Sequence, residues 1–208
     1  GEVLGGILGV AGAFGVALFT LHSERRQRRA RVAIGVAEVL HRLRDEMAEK
    51  LDWSLTYGLG TGLMSPSPAS LADLEAWIRR SDATEHGRLK DSINETFART
   101  PENLRIDEHS GNIEDLSIEI YEKIIALREE VKAHDKRKIN YHSNLGALTL
   151  TLFTDNVCDH IKNTVKIINE SENIIELLKQ KHNNQLREAK KLRISRFRPL
   201  IQSATKEI

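Results

Sequence analysis

The feature that most restricts the fold is a run without a charged side chain close to the N-terminus, residues 3–21. A helix rises about 1.5 Å per residue, so this run would cover about 28 Å, close to the ~30 Å hydrocarbon core of a bilayer. Glu2 precedes the run and Glu24 follows it closely, which does not match the basic region and cleavage site of a secretory signal peptide. We therefore expect residues 1–21 to form a single transmembrane anchor.

The glycines of this run recur at helical spacing. Gly5, Gly9, Ala13 and Ala17 lie four residues apart, and Gly12 belongs to a second series that steps by three. Small residues at these spacings let transmembrane helices approach closely, so these five are candidate packing residues for self-association. The same glycines disfavour the alternative of a buried core helix, because glycine weakens a helix more in water than in lipid. That glycine and alanine are simply common in bilayer helices remains a second explanation.

An arginine-rich stretch, here called the collar, follows the predicted span. It contains Arg25, Arg26, Arg28, Arg29 and Arg31. Juxtamembrane arginines stay on the cytoplasmic side of a membrane, and the flank before the span carries only Glu2. The expected orientation therefore places the N-terminus outside and residues 22–208 in the cytoplasm. The lone cysteine of the chain agrees with a reducing compartment and excludes an internally disulfide-stapled scaffold.

The rest of the chain is patterned as an all-α helical bundle. From residue 30 to about residue 54, apolar residues recur at steps of three and four: Val32, Val36, Leu40, Leu43, Met47 and Leu51. Such a stripe is typical of a helix with one buried face. No helix-breaking residue separates this stripe from the predicted span. We therefore expect one long helix that includes the collar and the juxtamembrane residues 22–56. Residues 57–70 are rich in glycine, serine and proline and are predicted to form a loop.

Two short helices are expected within residues 71–100. Ser70 and Asp73 resemble a capping box at the start of the first, whose apolar side chains are Leu74, Trp77 and Ile78. The second carries the stripe Leu89, Ile93 and Phe97 and should stop before Pro101, because proline disfavours helix at the preceding residue.

Residues 101–178 are predicted to form a long antiparallel helical hairpin with coiled-coil character. A nearly heptad seam comprises Ile113, Leu116, Ile120, Ile124, Leu127, Val131 and His134. A turn near residues 140–144 would return the chain. A second seam comprises Leu145, Leu148, Leu152, Ile161, Val165, Ile168, Ile175 and Leu178. Apolar and polar residues alternate over residues 148–153, as they do in a strand. Because the flanking pattern is helical, we expect helix there.

The near balance of 31 basic and 30 acidic residues hides strongly charged segments. Residues 101–130 are acidic, whereas residues 179–208 form a basic amphipathic tail that includes Lys190, Lys191, Arg193, Arg196 and Arg198. We expect these side chains and the collar to contact the membrane surface, where each cation contributes about 1 kcal/mol on an anionic leaflet. A tail packed on its own bundle is an alternative, and binding to an acidic protein or a nucleic acid is the least favoured one.

Residues for catalysis or metal binding are sparse. Glu38 and His41 have the spacing of a di-metal helix pair, but no second such pair occurs. His134, His142 and His160 are too widely spaced for a local metal site unless the hairpin brings them together. Cys158 precedes His160 by two residues and is expected to be a core cysteine. No cofactor, metal or small-molecule substrate is inferred, and no enzymatic activity is expected.

Three classes of function remain open. The favoured one is a single-pass membrane-anchored helical protein whose cytoplasmic domain binds a protein partner or self-associates, as a non-enzymatic interaction, scaffold or regulatory module. The second is a membrane-permeabilising effector that oligomerises through the small-residue face of the span. The third is an enzyme whose site is assembled from dispersed carboxylates and histidines of a helical bundle.

Overall fold

The structure is a computed structural model that describes residues 2–60, 67–98, 113–135, 137–139, 146–182 and 197–208. For residues 2–15, 135 and 146–148 only the backbone is described. All regular elements in these ranges are helices, so the predicted all-α fold is confirmed. They are α1 (Glu2–Gly58), α2 (Leu71–Arg80), α3 (Ala83–Thr96), a 3-10 turn (Ile113–Asp115), α4 (Ile118–Asp135), α5 (Gly146–Lys181) and α6 (Arg198–Glu207).

The first helix is continuous over 57 residues, as the uninterrupted apolar pattern predicts. Its predicted stripe, from Val32 to Leu51, is buried and continues through Leu55 and Leu59. The helix ends at Gly58, and Gly60 then adopts the left-handed conformation at φ +57°, which favours glycine. Residues 61–66 of the predicted loop lie outside the described part of the chain.

The two short helices begin at side-chain caps. The Ser70 hydroxyl accepts a hydrogen bond from the Asp73 backbone N–H at 3.1 Å, as the sequence predicts for the start of α2. A complete capping box that the sequence analysis missed starts α3, where Asp82 and Glu85 accept each other's backbone N–H. The predicted stripe of α3, Leu89, Ile93 and Phe97, is buried.

Close contact between α1 and α3 depends on a glycine at the end of α1. A Cβ atom added at Gly58 would lie 3.0 Å from the Leu89 Cα and closer still to the Leu89 side chain. Near this crossing, the Ser92 hydroxyl donates a hydrogen bond to the Ser54 carbonyl at 2.9 Å. Only a residue without a side chain allows the two backbones to pack this closely.

The hairpin helices α4 and α5 are antiparallel. Lys181 pairs with Glu119 and Lys166 pairs with Glu130, each at 2.6 Å, so the end of one helix lies beside the start of the other. All seven residues of the first predicted seam are buried, but Ile113 and Leu116 precede α4 and belong to the 3-10 turn and the bend after it. The predicted turn near residues 140–144 lies outside the described residues.

One position of the second predicted seam is wrong. Leu152 is 57% exposed, and the adjacent Phe153 is fully buried. The predicted seam passes from Leu152 to Ile161, and nine residues at about 100° each place these two on opposite faces of a helix. Phe153, Val157 and Ile161 form the buried face instead, at steps of four. The side chains of Leu145 and Leu148 are not among those described.

A single connected core joins the described helices. Buried apolar residues on both sides of residue 100, where the composition changes, belong to the same cluster. The helix α5 packs on α1 as well as on α4. Between α1 and α5, the buried Arg44 guanidinium binds Asp45 at 2.7 Å and Glu172 at 3.3 Å. These two carboxylates compensate a charge that would be costly to bury alone.

Substitution of the two neighbouring residues Leu152 and Phe153 tests this packing. Phe153→Ala should destabilise the protein by about 3–5 kcal/mol, because it leaves a cavity in the core. Leu152→Ala should change the free energy of unfolding by less than about 0.5 kcal/mol, because that side chain is exposed. Chemical denaturation of both variants measures the difference. A larger loss for Leu152→Ala would show that the register of α5 is wrong.

Candidate functional site

The N-terminal segment, defined as residues 16–31 of α1, lies outside the core. Four large apolar side chains here are each more than half exposed: Val16, Leu18, Phe19 and Leu21. At about 100° per residue, these four point in four different directions around the helix. The first buried residue of α1 beyond them is Ala30. The start of this segment is therefore apolar on all sides, whereas a helix packed on its own bundle is apolar on one side.

In the part of the chain described with side chains, no helix is long and apolar enough to cross a membrane. The transmembrane helix predicted at residues 3–21 is thus not supported by the structure. The side chains of Gly5, Gly9, Gly12 and Ala13 lie outside the described ones, and Ala17 is exposed. The span and its packing residues therefore stay predictions.

All five collar arginines are exposed. The Arg28 Nε lies 2.7 Å from the Asp115 carboxylate, in the 3-10 turn before α4. Burial and the nearby positive charge of Arg29 lower the pKa of His182, which follows α5 directly. The collar therefore lies beside the start of α4 and the end of α5.

The basic tail is described only in part. Lys190, Lys191, Arg193 and Arg196 lie outside the described residues, and Arg198 is exposed at the first position of α6. The apolar side of α6, formed by Leu200, Ile201 and Ala204, is buried. Lys162 of α5 also pairs with Glu207 of α6 at 3.3 Å. The last residues of the tail are therefore part of the bundle, as the packed alternative predicted for them.

The hairpin brings together two histidines that the sequence separates by 26 positions. The rings of His134 on α4 and His160 on α5 are 4.5 Å apart and only 2% and 3% exposed. Phe97, which caps α3, packs edge-on against His160 with the ring centroids 4.5 Å apart. Three parts of the chain thus meet at this histidine pair. A metal site formed by His134, His142 and His160 would require the hairpin to bring these histidines together. His142, the third of them, lies outside the described residues.

The hydrogen bonds of the pair fix one tautomer. The Thr164 hydroxyl donates its only hydrogen to the His160 carbonyl at 2.8 Å, so its oxygen accepts from the His134 Nε2–H, also at 2.8 Å. The His134 Nδ1 is then a lone-pair acceptor, and it has no partner. Both ring nitrogens of His160 are also buried without a hydrogen-bond partner. Such groups cost about 1–3 kcal/mol each.

Both rings are neutral at neutral pH. Burial first, and then the positive charge of Arg137, lowers the pKa of His134 to about 4. Burial, the neighbouring His134 ring and Arg137 lower the pKa of His160 to about 3. Among the residues with described side chains, no group of three His, Cys, Asp or Glu is placed to hold a metal ion.

A surface cavity of about 160 Å³ lies next to the pair, between α4 and α5. Its lining is Glu130, Ala133, His134, Arg137, Asn163, Lys166 and Ile167. The Glu130 and Lys166 side chains are already joined by the ion pair between the helices. The His134 Nδ1 has no contact with solvent, so a molecule in the cavity would not reach it without a movement of the ring.

The other candidate side chains are separate from the pair. Glu38 is exposed on α1, and burial and Arg44 lower the pKa of the partly buried His41. Cys158 is free and buried, as the sequence predicts for a core cysteine. Burial, with the nearby Glu75 carboxylate, raises the pKa of its thiol to about 12.

Comparison with known proteins adds no guide to function, since no family model, curated protein or solved structure matches the chain. The functional conclusion rests on the N-terminal segment, the collar and the bundle. The N-terminal segment and the collar are accessible to a partner, because most of their side chains are exposed. The histidine pair, in contrast, lies inside the core.

Thiol chemistry provides a test of the core around Cys158. A rise of the pKa to about 12 leaves about 1000-fold less thiolate than an ordinary thiol has at neutral pH. In the folded protein, Cys158 should react with a thiol reagent at least about 100-fold more slowly than after unfolding. A cysteine at the exposed Ala126, in a Cys158→Ala background, is the matched control and should react equally fast in both states. Equal rates for Cys158 folded and unfolded would contradict its burial.

Proposed function

We propose that the chain is a membrane-anchored helical protein whose bundle is a non-enzymatic interaction, scaffold or regulatory module. The observation that carries this proposal is the all-round apolar surface at the start of the N-terminal segment. Val16, Leu18, Phe19 and Leu21 continue an uncharged run that starts at Val3. Helices that are apolar on all sides are typical of the interior of a large protein or of a bilayer.

A bilayer accounts for this surface better than a single protein partner does. A partner that docks on one side of a helix would cover one apolar stripe and leave the opposite side in water. Lipid covers every side equally. The collar follows at Arg25, where a helix leaving the hydrocarbon core would meet the headgroups. The sequence of apolar run, collar and folded bundle is the order expected of a single-pass protein.

The collar also supports an orientation. Arginines within about 15–20 residues of a span are retained on the cytoplasmic side. The bundle follows the collar in the same helix, so it would lie in the cytoplasm, with the N-terminus outside. No break separates the collar from the buried stripe of α1, which begins near Val32. The bundle would therefore be held close to the membrane by a continuous helix rather than by a flexible linker.

The basic tail would reach the same surface. His182 is close enough to Arg29 for the arginine to lower its pKa, so the end of α5, after which the tail continues in the sequence, lies beside the collar. This position supports membrane contact for Lys190, Lys191, Arg193 and Arg196, each worth about 1 kcal/mol on an anionic leaflet. Arg198 is also exposed, but it lies on α6, whose apolar face is buried in the bundle and is not free to enter the membrane.

An exposed aromatic pair on α1 supports the interaction role of the bundle. The Trp53 and Tyr57 rings stack with their centroids 4.7 Å apart, and both side chains are about half exposed. Tryptophan and tyrosine are enriched at protein interfaces, where they bury a large apolar area. A tryptophan in this position does not contribute to the core, so binding to a protein partner gives it a role.

Extraction from membranes tests the anchor. The full chain should stay in the membrane pellet in alkaline carbonate. Leu18→Asp combined with Phe19→Asp should release most of it, because a charge in the hydrocarbon core costs about 2.5–3.5 kcal/mol. Ile118→Asp, at an equally exposed apolar residue of the bundle, is the matched control and should stay in the pellet. Release of the unmodified chain would contradict the proposal.

Protease treatment of spheroplasts tests the orientation. The bundle should be protected from protease added outside and should be digested after lysis. Replacement of the five collar arginines by glutamine should expose the bundle to external protease in a part of the molecules, because the charge bias that retains it is lost. Glutamine at Arg79, Arg80 and Arg88, far from the collar in the sequence, is the control. External digestion of the unmodified bundle would show that the orientation is wrong.

A further inference from the structure

The histidine pair is the place where the bundle tolerates a positive charge least. His134, His160 and Phe97 connect α4, α5 and the end of α3, and all three are buried. Neither the hydrogen bonds nor the packing of the core requires an ionisable ring at both positions, because three of the four ring nitrogens have no partner. Two phenyl or leucine side chains would fill such a site without this cost.

We propose that the His134–His160 pair is a proton-sensitive latch that holds α4, α5 and the end of α3 together while both rings are neutral and releases them when a ring is protonated. The inference does not depend on the membrane anchor. It concerns the bundle alone and adds a regulatory signal, the proton, to the proposed interaction module.

The hydrogen-bond geometry gives the first argument. Protonation of His134 would add an N–H at Nδ1, which is buried and has no acceptor. Protonation of His160 would leave it with two N–H groups, and neither nitrogen has a partner in the folded protein. A buried cation without hydrogen bonds is strongly destabilised, so the protonated ring must reach water. A movement of the ring would carry His134 into the adjacent cavity, but His160 does not line that cavity, so for His160 reaching water requires α4 and α5 to separate at this level.

The charges around the pair give the second argument. The charged side chains that lower the pKa of the rings are Arg137, which follows α4, and, for His134, Lys50 of α1, whereas a hydrogen bond to the His160 backbone raises the pKa of His134 and offsets them only in part. Among the described side chains of α4, the carboxylate nearest to His134 is that of Glu130, one turn before it, and it is paired with Lys166 of α5 at 2.6 Å. The side chain of the adjacent Asp135 is not among those described. Phe97 is the contact from the α3 side and is uncharged. Among the described side chains, the charges that lower the pKa of the two rings are therefore cationic, and they disfavour an imidazolium.

The direction of the pH effect follows from these environments. The pKa is lowered to about 4 for His134 and to about 3 for His160, whereas a histidine released to water titrates near 6.5. The latch is thus fully closed above pH 6.5. As the pH falls from 6.5 towards 4, the open state binds protons that the closed state excludes, and each ring favours opening by about tenfold per pH unit. The two rings together therefore shift the equilibrium between the closed and open states by about 100-fold per pH unit.

Opening at this level would uncover an apolar surface. Leu127 and Val131 precede His134 on the buried side of α4, and Ile161 and Val165 flank His160 on α5. These side chains belong to the single core cluster that is closed at neutral pH. An acidified compartment would therefore present the hairpin seam to a partner, whereas at neutral pH the same seam is part of the core.

Denaturation of the full chain as a function of pH tests the proposal. The double variant His134→Gln, His160→Leu removes both titrations while keeping a hydrogen-bond donor near Thr164. Between pH 6 and pH 4.5, the folding equilibrium constant of the unmodified chain should fall by about 100-fold per pH unit more than that of the double variant. His22→Gln, at an exposed histidine outside the bundle, should follow the unmodified chain. Parallel pH profiles for the unmodified chain and the double variant would overturn the proposal.

Ring titration by NMR decides the question if the double variant fails to fold. In the folded unmodified chain, the His134 and His160 ring signals should show no protonation between pH 8 and pH 5. Hydrogen exchange should at the same time become faster with decreasing pH in α4 and α5 before it does in α2. Titration of either ring near pH 6.5 in the folded state would show that the bundle accepts the charge, and it would overturn the latch.

Discussion

Packing of α5 and α3 against the apolar stripe of α1 is the constraint on which the rest of the structure depends. The stripe runs from Val32 to Leu59 and supplies one side of the core to every helix that packs on it. Burial of apolar area at about 25 cal/mol per Å² is the dominant favourable contribution to folding. Because the stripe occupies only the second half of α1, the bundle forms at one end of a 57-residue helix. The exposure of most side chains in residues 16–29 is a direct consequence, and it provides the surface from which we infer a membrane anchor.

The polar groups inside the core fall into two kinds. Arg44 is buried but binds two carboxylates, Asp45 and Glu172, so its charge joins α1 to α5 without an unpaired ion. The histidine pair has no such compensation and remains folded only as neutral rings. The first arrangement holds a charge that is paired, whereas the second excludes a charge that it could not pair. This difference is the reason for assigning regulation to His134 and His160 rather than to the buried ion pair.

Local patterns in the sequence predict the helices of this chain well, and they fail where a contact depends on distant residues. The stripe of α1, the cap at Ser70 and the seam from Ile120 to His134 follow from spacing alone. The error at Leu152 arises because the pattern has a gap of nine residues, which reverses the face of a helix. The sequence raised His134 and His160, together with His142, only on the condition that the hairpin brings them together, because the two rings become adjacent only after α4 and α5 have packed. The capping box at Asp82 could have been found from its spacing to Glu85.

The collar and the anchor can be recognised from the sequence alone to different degrees. The collar is visible as five arginines, and the structure adds that it lies beside Asp115 and the end of α5. The anchor rests on the sequence of residues 3–21 together with the exposed side chains of residues 16–21. The two sources support the same proposal, because a helix that is apolar all round has no single side with which to pack on its own bundle.

Spin-label accessibility along α1 is the most direct measurement of the central claim, that the helix passes from lipid through the collar into the bundle. Single nitroxides at positions 16–40 of the full chain in lipid vesicles would be relaxed by oxygen and by a water-soluble nickel complex. Positions 16–21 should all be open to oxygen and closed to nickel, the exposed positions 25–29 and 31 should be open to nickel, and positions beyond 32 should be protected with a period of about 3.6 residues. Nickel accessibility on one or more sides of residues 16–21 would contradict the account, because it would place this part of the helix in water.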